Sequence, residues 1–133
     1  MSYKVLEHLA DLKIQVSGKD LKELFSGFVK AIADSSRPKI VEQEKVERKI
    51  EKKAESIDFL LIDFLNEILS LSDLYNEVYC ESQFEVLKEN QLVCVLKGYK
   101  VKGFGLEIKG ATWHDLKIEK QGDLWKAEVL FDI

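Results

Sequence analysis

The sequence predicts an α+β fold in a single domain, residues 1–133, with two amphipathic helices packed on a mostly antiparallel or mixed sheet. Two segments, residues 21–32 and 57–71, carry apolar residues at the three- and four-residue spacing of a helix face. The remaining segments alternate in polarity or form short apolar runs bounded by turn residues, which is typical of strands. A chain of 133 residues that is 46% apolar suits one domain with its own core.

Composition and charge argue against several classes of protein. A formal net charge of −4 disfavours a protein that coats nucleic acid through bulk electrostatics. No apolar run approaches the roughly 18–20 residues of a membrane span, and the N-terminus lacks the regions of a signal peptide. We therefore expect a soluble cytoplasmic protein in which the widely spaced Cys80 and Cys94 stay reduced.

The N-terminal third predicts two strands followed by an amphipathic helix. A polar interruption, Glu7–Asp11, separates the strand-like segments Tyr3–Leu6 and Leu12–Val16. Asp20 is a suitable N-cap for the helix. The helix should end before Pro38, because proline disfavours helical conformation at the residue that precedes it.

The middle of the chain predicts an exposed strand and a buried helix. Val41–Lys53 mixes charged with apolar residues, as in a strand with one solvated face. Ser56 should cap the second helix, which is the most hydrophobic element. Its polar side carries Asp63, Asn66, Glu67 and Asp73. We interpret this side as solvated surface; Asp63 and Glu67 could share a metal ion, but no histidine accompanies them.

The C-terminal half predicts two hairpins. The first joins Val78–Val86 to Leu92–Leu96, and a glycine-punctuated loop over residues 98–105 should follow it. These glycines lack the spacing of a phosphate-binding loop. The second hairpin joins Leu106–Glu119 to Trp125–Ile133 and should turn at residues 121–123.

Few residues in the sequence suggest catalytic chemistry, since triad, zinc-binding and dinucleotide-binding patterns do not occur in it. His8 and His114 are the only histidines, and each is either a general base or a structural hydrogen-bonding group. Lys109 lies in an otherwise apolar segment. It is either a solvated lysine at a sheet edge or a contact to an anion.

Four segments, taken in order, resemble the archease family over essentially the whole chain. They are Tyr3–Ile14 with the Glu7–Asp11 pattern, Asp63–Leu69, Lys109–Leu116 and Phe131–Ile133. No single segment is decisive, but four in the right order are specific. Two residues depart from the family pattern: Lys13 stands where glycine is usual, and Trp113 where tyrosine is common. The Tyr99–Leu106 loop is also shorter than in many members.

The resemblance implies an accessory protein of the RtcB-type RNA-splicing ligase, which joins an RNA 3′-phosphate or cyclic phosphate to a 5′-hydroxyl using GTP and Mn²⁺. Archeases promote guanylylation of that ligase and so sustain multiple turnover. By this resemblance Asp11, Asp132 and Ile133 correspond to metal ligands, and Lys109, with His8, to a contact with the ligase or its nucleotide. The tRNA would be reached only through the ligase, with no sequence-specific nucleic-acid binding and no membrane contact.

The ligands implied by the resemblance are two aspartates and the carboxylate of the chain terminus. Three such groups close together would repel one another unless a cation lies between them. Hard oxygen ligands suit Ca²⁺, with Mg²⁺ or Mn²⁺ as alternatives. For Asp11 to meet Asp132, the Leu12–Val16 strand must lie antiparallel beside the Trp125–Ile133 strand.

Two other functions compete with that of a non-catalytic ligase activator. The first is a metal-dependent phosphoesterase that acts on RNA or nucleotides and uses Asp11, Asp132 and His8. The second is a general nucleic-acid chaperone, against which the net negative charge argues.

Overall fold

The computed structural model describes residues 1–7 and 11–133. The elements along the chain are β1 (Ser2–Glu7), β2 (Asp11–Gly18), α1 (Leu21–Ser35), β3 (Pro38–Lys53), α2 (Ile57–Tyr75), β4 (Glu77–Lys88), β5 (Gln91–Phe104), β6 (Gly110–Gln121) and β7 (Leu124–Asp132). The described strands form a four-stranded sheet in the order β1-β2-β7-β6 and a three-stranded sheet in the order β3-β5-β4. Every pairing among them is antiparallel. The predicted α+β class is therefore confirmed, although the strands divide between two sheets.

Helix α1 begins and ends at the residues that the sequence favours. Asp20 is its N-cap, and the Asp20 Oδ1 accepts a hydrogen bond from the Glu23 N–H at 2.8 Å. The apolar face is buried from Leu24 to Ala33. After Ser36 the backbone of Arg37 takes a positive φ of 46°, and Pro38 then begins β3. The predicted cap and stop of this helix are confirmed.

Helix α2 is buried over a wide arc, as its composition predicts. Ser56 occupies the N-cap position, but its side chain makes no capping hydrogen bond, so that detail of the prediction is wrong. Asn76 ends the helix in the left-handed conformation with φ 55°. Among the described residues, neither helix is long and apolar enough to cross a membrane.

The two helices join the sheets into one core. Each helix contacts strands of both the four-stranded and the three-stranded sheet. Phe25 of α1, Phe64 of α2 and Phe84 of β4 form an aromatic cluster, with ring centroids 5.6–6.1 Å apart. Because Phe25 and Phe64 are fully buried, their packing couples the helices to each other and to the sheet.

Strand β5 continues through the segment predicted to be a loop, and that prediction is wrong. Gly98 lies inside the strand, between Val46 of β3 and Tyr79 of β4. A Cβ at Gly98 would overlap the carbonyl oxygen of Val78, beside an irregularity in β4. This glycine therefore allows the backbones of two strands to approach closely in a strand interior. A glycine with this role looks the same in the sequence as a glycine in a loop.

A buried carboxylate fixes the end of α2 to the three-stranded sheet. Glu77 is fully buried, and Arg48 donates to it from Nε at 2.9 Å and from Nη2 at 2.8 Å. Tyr79 donates its hydroxyl to the same carboxylate at 2.7 Å, and the Lys100 Nζ lies 3.4 Å away. Arg48 also covers the ring of Tyr75, the last residue of α2, at 3.9 Å from the ring centroid.

The Arg48 hydrogen bonds hold the pKa of Glu77 at about 2, below its ordinary value, despite the opposing effect of burial. Since the pKa in the folded state is depressed, the ionised pair stabilises the fold fully above the unfolded-state pKa of about 4.3. That contribution is lost as the pH falls from about 5 toward 2. Free energies of unfolding, measured by urea denaturation across this range, should show the decline, and Glu77→Gln should flatten it.

At pH 7, Arg48→Met should lower the free energy of unfolding by about 3 kcal/mol, because it leaves a buried carboxylate without its main partner. The expected loss lies at the low end of the range for broken buried ion pairs because the Arg48 side chain is 32% exposed. Lys97→Met on the same sheet is the matched control. Its ion pair with Glu47 is 3.9 Å long and exposed, so about 0–1 kcal/mol is expected. Equal losses in the two variants would contradict this assignment.

Candidate metal and partner-contact site

Two aspartates face each other where β2 begins and β7 ends. The two strands pair antiparallel in unbroken register from Asp11↔Asp132 to Gly18↔Trp125. Residues directly opposite in an antiparallel pair project from the same face, with Cβ atoms about 4.5–5.5 Å apart. Asp11 is partly exposed and Asp132 is exposed. The predicted antiparallel neighbourhood of these strands is confirmed.

Strand β6 brings a third group to the same end of the sheet. Gly110 pairs with Asp132, and the Lys109 N–H donates to the Asp132 carbonyl oxygen at 2.8 Å. The Lys109 side chain is exposed. Lys109 therefore lies immediately before β6, and not inside a strand as the sequence analysis predicted. An exposed ammonium at this position is accessible to an anion brought by a partner.

Ile133 follows β7 directly and is 36% exposed. Its main chain lies one residue from Asp132, so its oxygens lie at the same end of the sheet as the two aspartates. The arrangement gathers oxygen donors on an accessible rim, which is the donor type preferred by Ca²⁺ and Mg²⁺. Among the described residues, no group of three or more His, Cys, Asp or Glu side chains could hold a metal ion. Of the described residues, Asp11 and Asp132 could offer carboxylate side chains to a cation here, together with main-chain oxygens of Ile133.

Comparison with known proteins identifies the family. The family model described as the Archease protein family matches residues 3–133. The chain belongs to the archease family. A protein archease from Methanosarcina mazei is 31% identical, with 98% of this chain and 95% of that protein covered. One from Pyrococcus abyssi is 32% identical, with 96% and 95% covered. A Thermotoga maritima crystal structure, described as an archease and possible chaperone, matches with a TM-score of 0.70 at 25% identity over 98% of this chain and 96% of that one.

The departure of this archease at Lys13 leaves the strand geometry intact. Lys13 pairs with Leu130 in the uninterrupted β2–β7 ladder. Its Nζ lies 3.8 Å from the Glu128 Oε2, so an ion pair compensates the added charge on this face. The other departure, Trp113, is 48% exposed and packs edge-on against Phe59 of α2, with ring centroids 4.7 Å apart.

Of the two histidines of this archease, the structure describes His114. His8, predicted to contact the partner, lies outside the described residues. His114 is exposed, and its Nε2 lies 3.3 Å from the Asp115 Oδ2. Asp115 has a positive φ of 53° within the irregular stretch of β6 between Thr112 and Lys117. His114 is therefore a surface residue, and its contact with Asp115 is exposed to solvent.

Asn66 is the residue of this archease that the sequence analysis missed, since it was assigned to the solvated side of α2. The Asn66 Nδ2 donates to the Ala111 carbonyl oxygen at 3.1 Å, and its Oδ1 accepts from the Ala111 N–H at 2.8 Å. Asn66 lies within one of the four segments that resemble the family, which was the available signal. Asp63 stays exposed, as expected, and Glu67 lies 3.6 Å from the Lys52 Nζ in an ion pair.

Proposed function

We propose that this protein is a non-catalytic accessory protein of an RtcB-type RNA-splicing ligase, whose guanylylation and multiple turnover it promotes. The observation that carries the proposal is the strand register that brings Asp11, Asp132 and Lys109 to one end of the sheet. The choice of partner rests on the resemblance to archeases in the sequence, and membership of that family supports an accessory role. The tRNA is then reached through the ligase.

Asp11, Asp132 and the main-chain oxygens of Ile133 would hold the metal ion. Their donor set is all oxygen, which favours Ca²⁺ and allows Mg²⁺ or Mn²⁺. Ca²⁺ takes six to eight ligands, so a few protein donors leave positions for water or for a group on the partner. The ion would supply positive charge at an otherwise acidic rim.

Lys109 would contact an anionic group of the ligase or its nucleotide. Its ammonium is exposed, while its backbone N–H is tied to Asp132. A lysine offers phosphate a compact positive charge. The proposed contact through His8 rests on the sequence alone, since His8 lies outside the described residues.

The calcium hypothesis predicts that Asp132→Asn abolishes stabilisation by the ion. Wild-type protein at a calcium concentration about 100 times its dissociation constant should gain about 2.7 kcal/mol of unfolding free energy. The variant should gain little, because affinity for a hard cation depends on the charge of its ligands. Glu119→Gln, at an exposed position of neighbouring β6, is the matched control and should respond like wild type. A wild-type melting temperature that is insensitive to calcium would remove the metal site.

The partner hypothesis predicts that this chain raises the rate at which a cognate RtcB-type ligase forms its covalent guanylate from GTP and Mn²⁺. Lys109→Ala should lower the stimulation while unfolding free energy changes by no more than about 0.5 kcal/mol, as for exposed sites in general. Lys102→Ala, another exposed lysine, should behave like wild type. Unchanged guanylylation with and without the chain would refute the function. RNA cleavage by the isolated chain would instead support the phosphoesterase.

A further inference from the structure

The backbone that carries Lys109 is held to the sheet by a very short stretch of strand. Among the described strands, β6 forms one edge of the four-stranded sheet and pairs only with β7. Gly110, Ala111 and Thr112 pair in register with Asp132, Phe131 and Leu130, and an irregularity then follows before Lys117. The edge position leaves β6 without a second strand to hydrogen-bond the outward-facing backbone groups of this stretch.

Asn66 takes the place of that missing strand. Its amide donates to the carbonyl oxygen of Ala111 at 3.1 Å and accepts from the N–H of the same residue at 2.8 Å. Only an amide side chain offers a donor and an acceptor side by side in this way. Ala111 is 8% exposed, so its backbone groups would find little water if the amide were removed.

The anchoring point is rigid because α2 is part of the core. Leu65, directly before Asn66, and Ile68, two residues after it, are buried. A second contact between the same helix and strand lies beyond Thr112, where Phe59 packs against Trp113. Helix α2 therefore holds β6 at Ala111, within the stretch that pairs with the end of β7, and at Trp113, directly after it.

The anchored residue is adjacent to the groups of the site. Gly110, which precedes Ala111, pairs with Asp132. The N–H of Lys109 donates to the Asp132 carbonyl oxygen at 2.8 Å. Displacing Ala111 would therefore shift the backbone of Lys109 and loosen the hydrogen bond that holds Asp132.

We propose that Asn66 is a positioning residue: its amide fixes Ala111 so that Lys109 and Asp132 keep the spacing at which they serve the site. This inference rests on the proposed function for its biological meaning, whereas its structural content can be measured independently. The amide is required because a carboxylate cannot donate to the Ala111 carbonyl and an apolar side chain can neither donate nor accept.

The test compares Asn66→Ala and Asn66→Asp with Ile68→Val, which weakens α2 packing but leaves the Asn66 amide in place to hydrogen-bond Ala111. Alanine is the best helix former and aspartate keeps the shape of asparagine, so the helix should persist in both. Hydrogen exchange of the Lys109 N–H, measured by NMR below the melting transition, should accelerate in both Asn66 variants and not in Ile68→Val. The calcium affinity of Asn66→Ala should be about tenfold lower than that of the wild type, as is typical when a group that orients a metal ligand is removed.

The outcomes separate this inference from the proposed function. Wild-type exchange of the Lys109 N–H in both Asn66 variants would overturn the inference, whatever calcium does. Faster exchange with unchanged calcium affinity would also overturn it, because the anchored backbone would then not serve the site. If wild-type protein binds no calcium, the metal site of the proposed function fails. In that case the test is the stimulation of ligase guanylylation by Asn66→Ala. Lower stimulation than that of the wild type supports the positioning role of Asn66, and equal stimulation overturns it.

Discussion

The pairing of β2 with β7 sets the position of the groups at the candidate site. Leu12, Ile14 and Val16 of β2 are buried opposite Phe131, Val129 and Ala127 of β7. A slip of one residue would move an entire strand's apolar set to the polar face, so burial of these pairs specifies the register strongly. The same register sets Asp11 opposite Asp132. The hydrophobic core therefore fixes the spacing of two acidic side chains that contribute nothing to that core.

Helix α2 is fixed to both sheets by specific contacts. Its end is fixed to the three-stranded sheet where Arg48 covers Tyr75 and binds the buried Glu77. Its middle is fixed to the four-stranded sheet where Asn66 binds Ala111. One helix thus links a buried ion pair to the edge strand that follows Lys109, and the packing of α2 bears on the geometry of the site.

The groups of the candidate site are open to contact with another protein. Asp132, Ile133 and Lys109 lie on an accessible rim, where another protein can approach them. Exposed Asp132 and exposed Lys109 offer charges of both signs to a partner. Membership of the archease family agrees with a role exercised on another protein.

The sequence by itself determined the local elements of this protein. Apolar periodicity predicted both helices, and Asp20 and Pro38 predicted the limits of α1. The final hairpin turn was predicted at residues 121–123, where Gly122 has a positive φ of 59°. These features depend on neighbouring residues, whose preferences can be read from the chain. For the site, the family resemblance supplied Asp11, Asp132 and Lys109, and alternation alone could not have paired residues 121 positions apart.

Only the tertiary structure decided how the strands divide between two sheets, that Gly98 lies within β5, and that Glu77 is buried. It also decided that Asn66, which sequence periodicity assigned to the solvated face of α2, hydrogen-bonds the backbone of Ala111. The physical reason is the same in each case. A side chain's role depends on which distant backbone or charge packs against it, and the 3.6- and 2-residue periods specify a face without specifying what covers it.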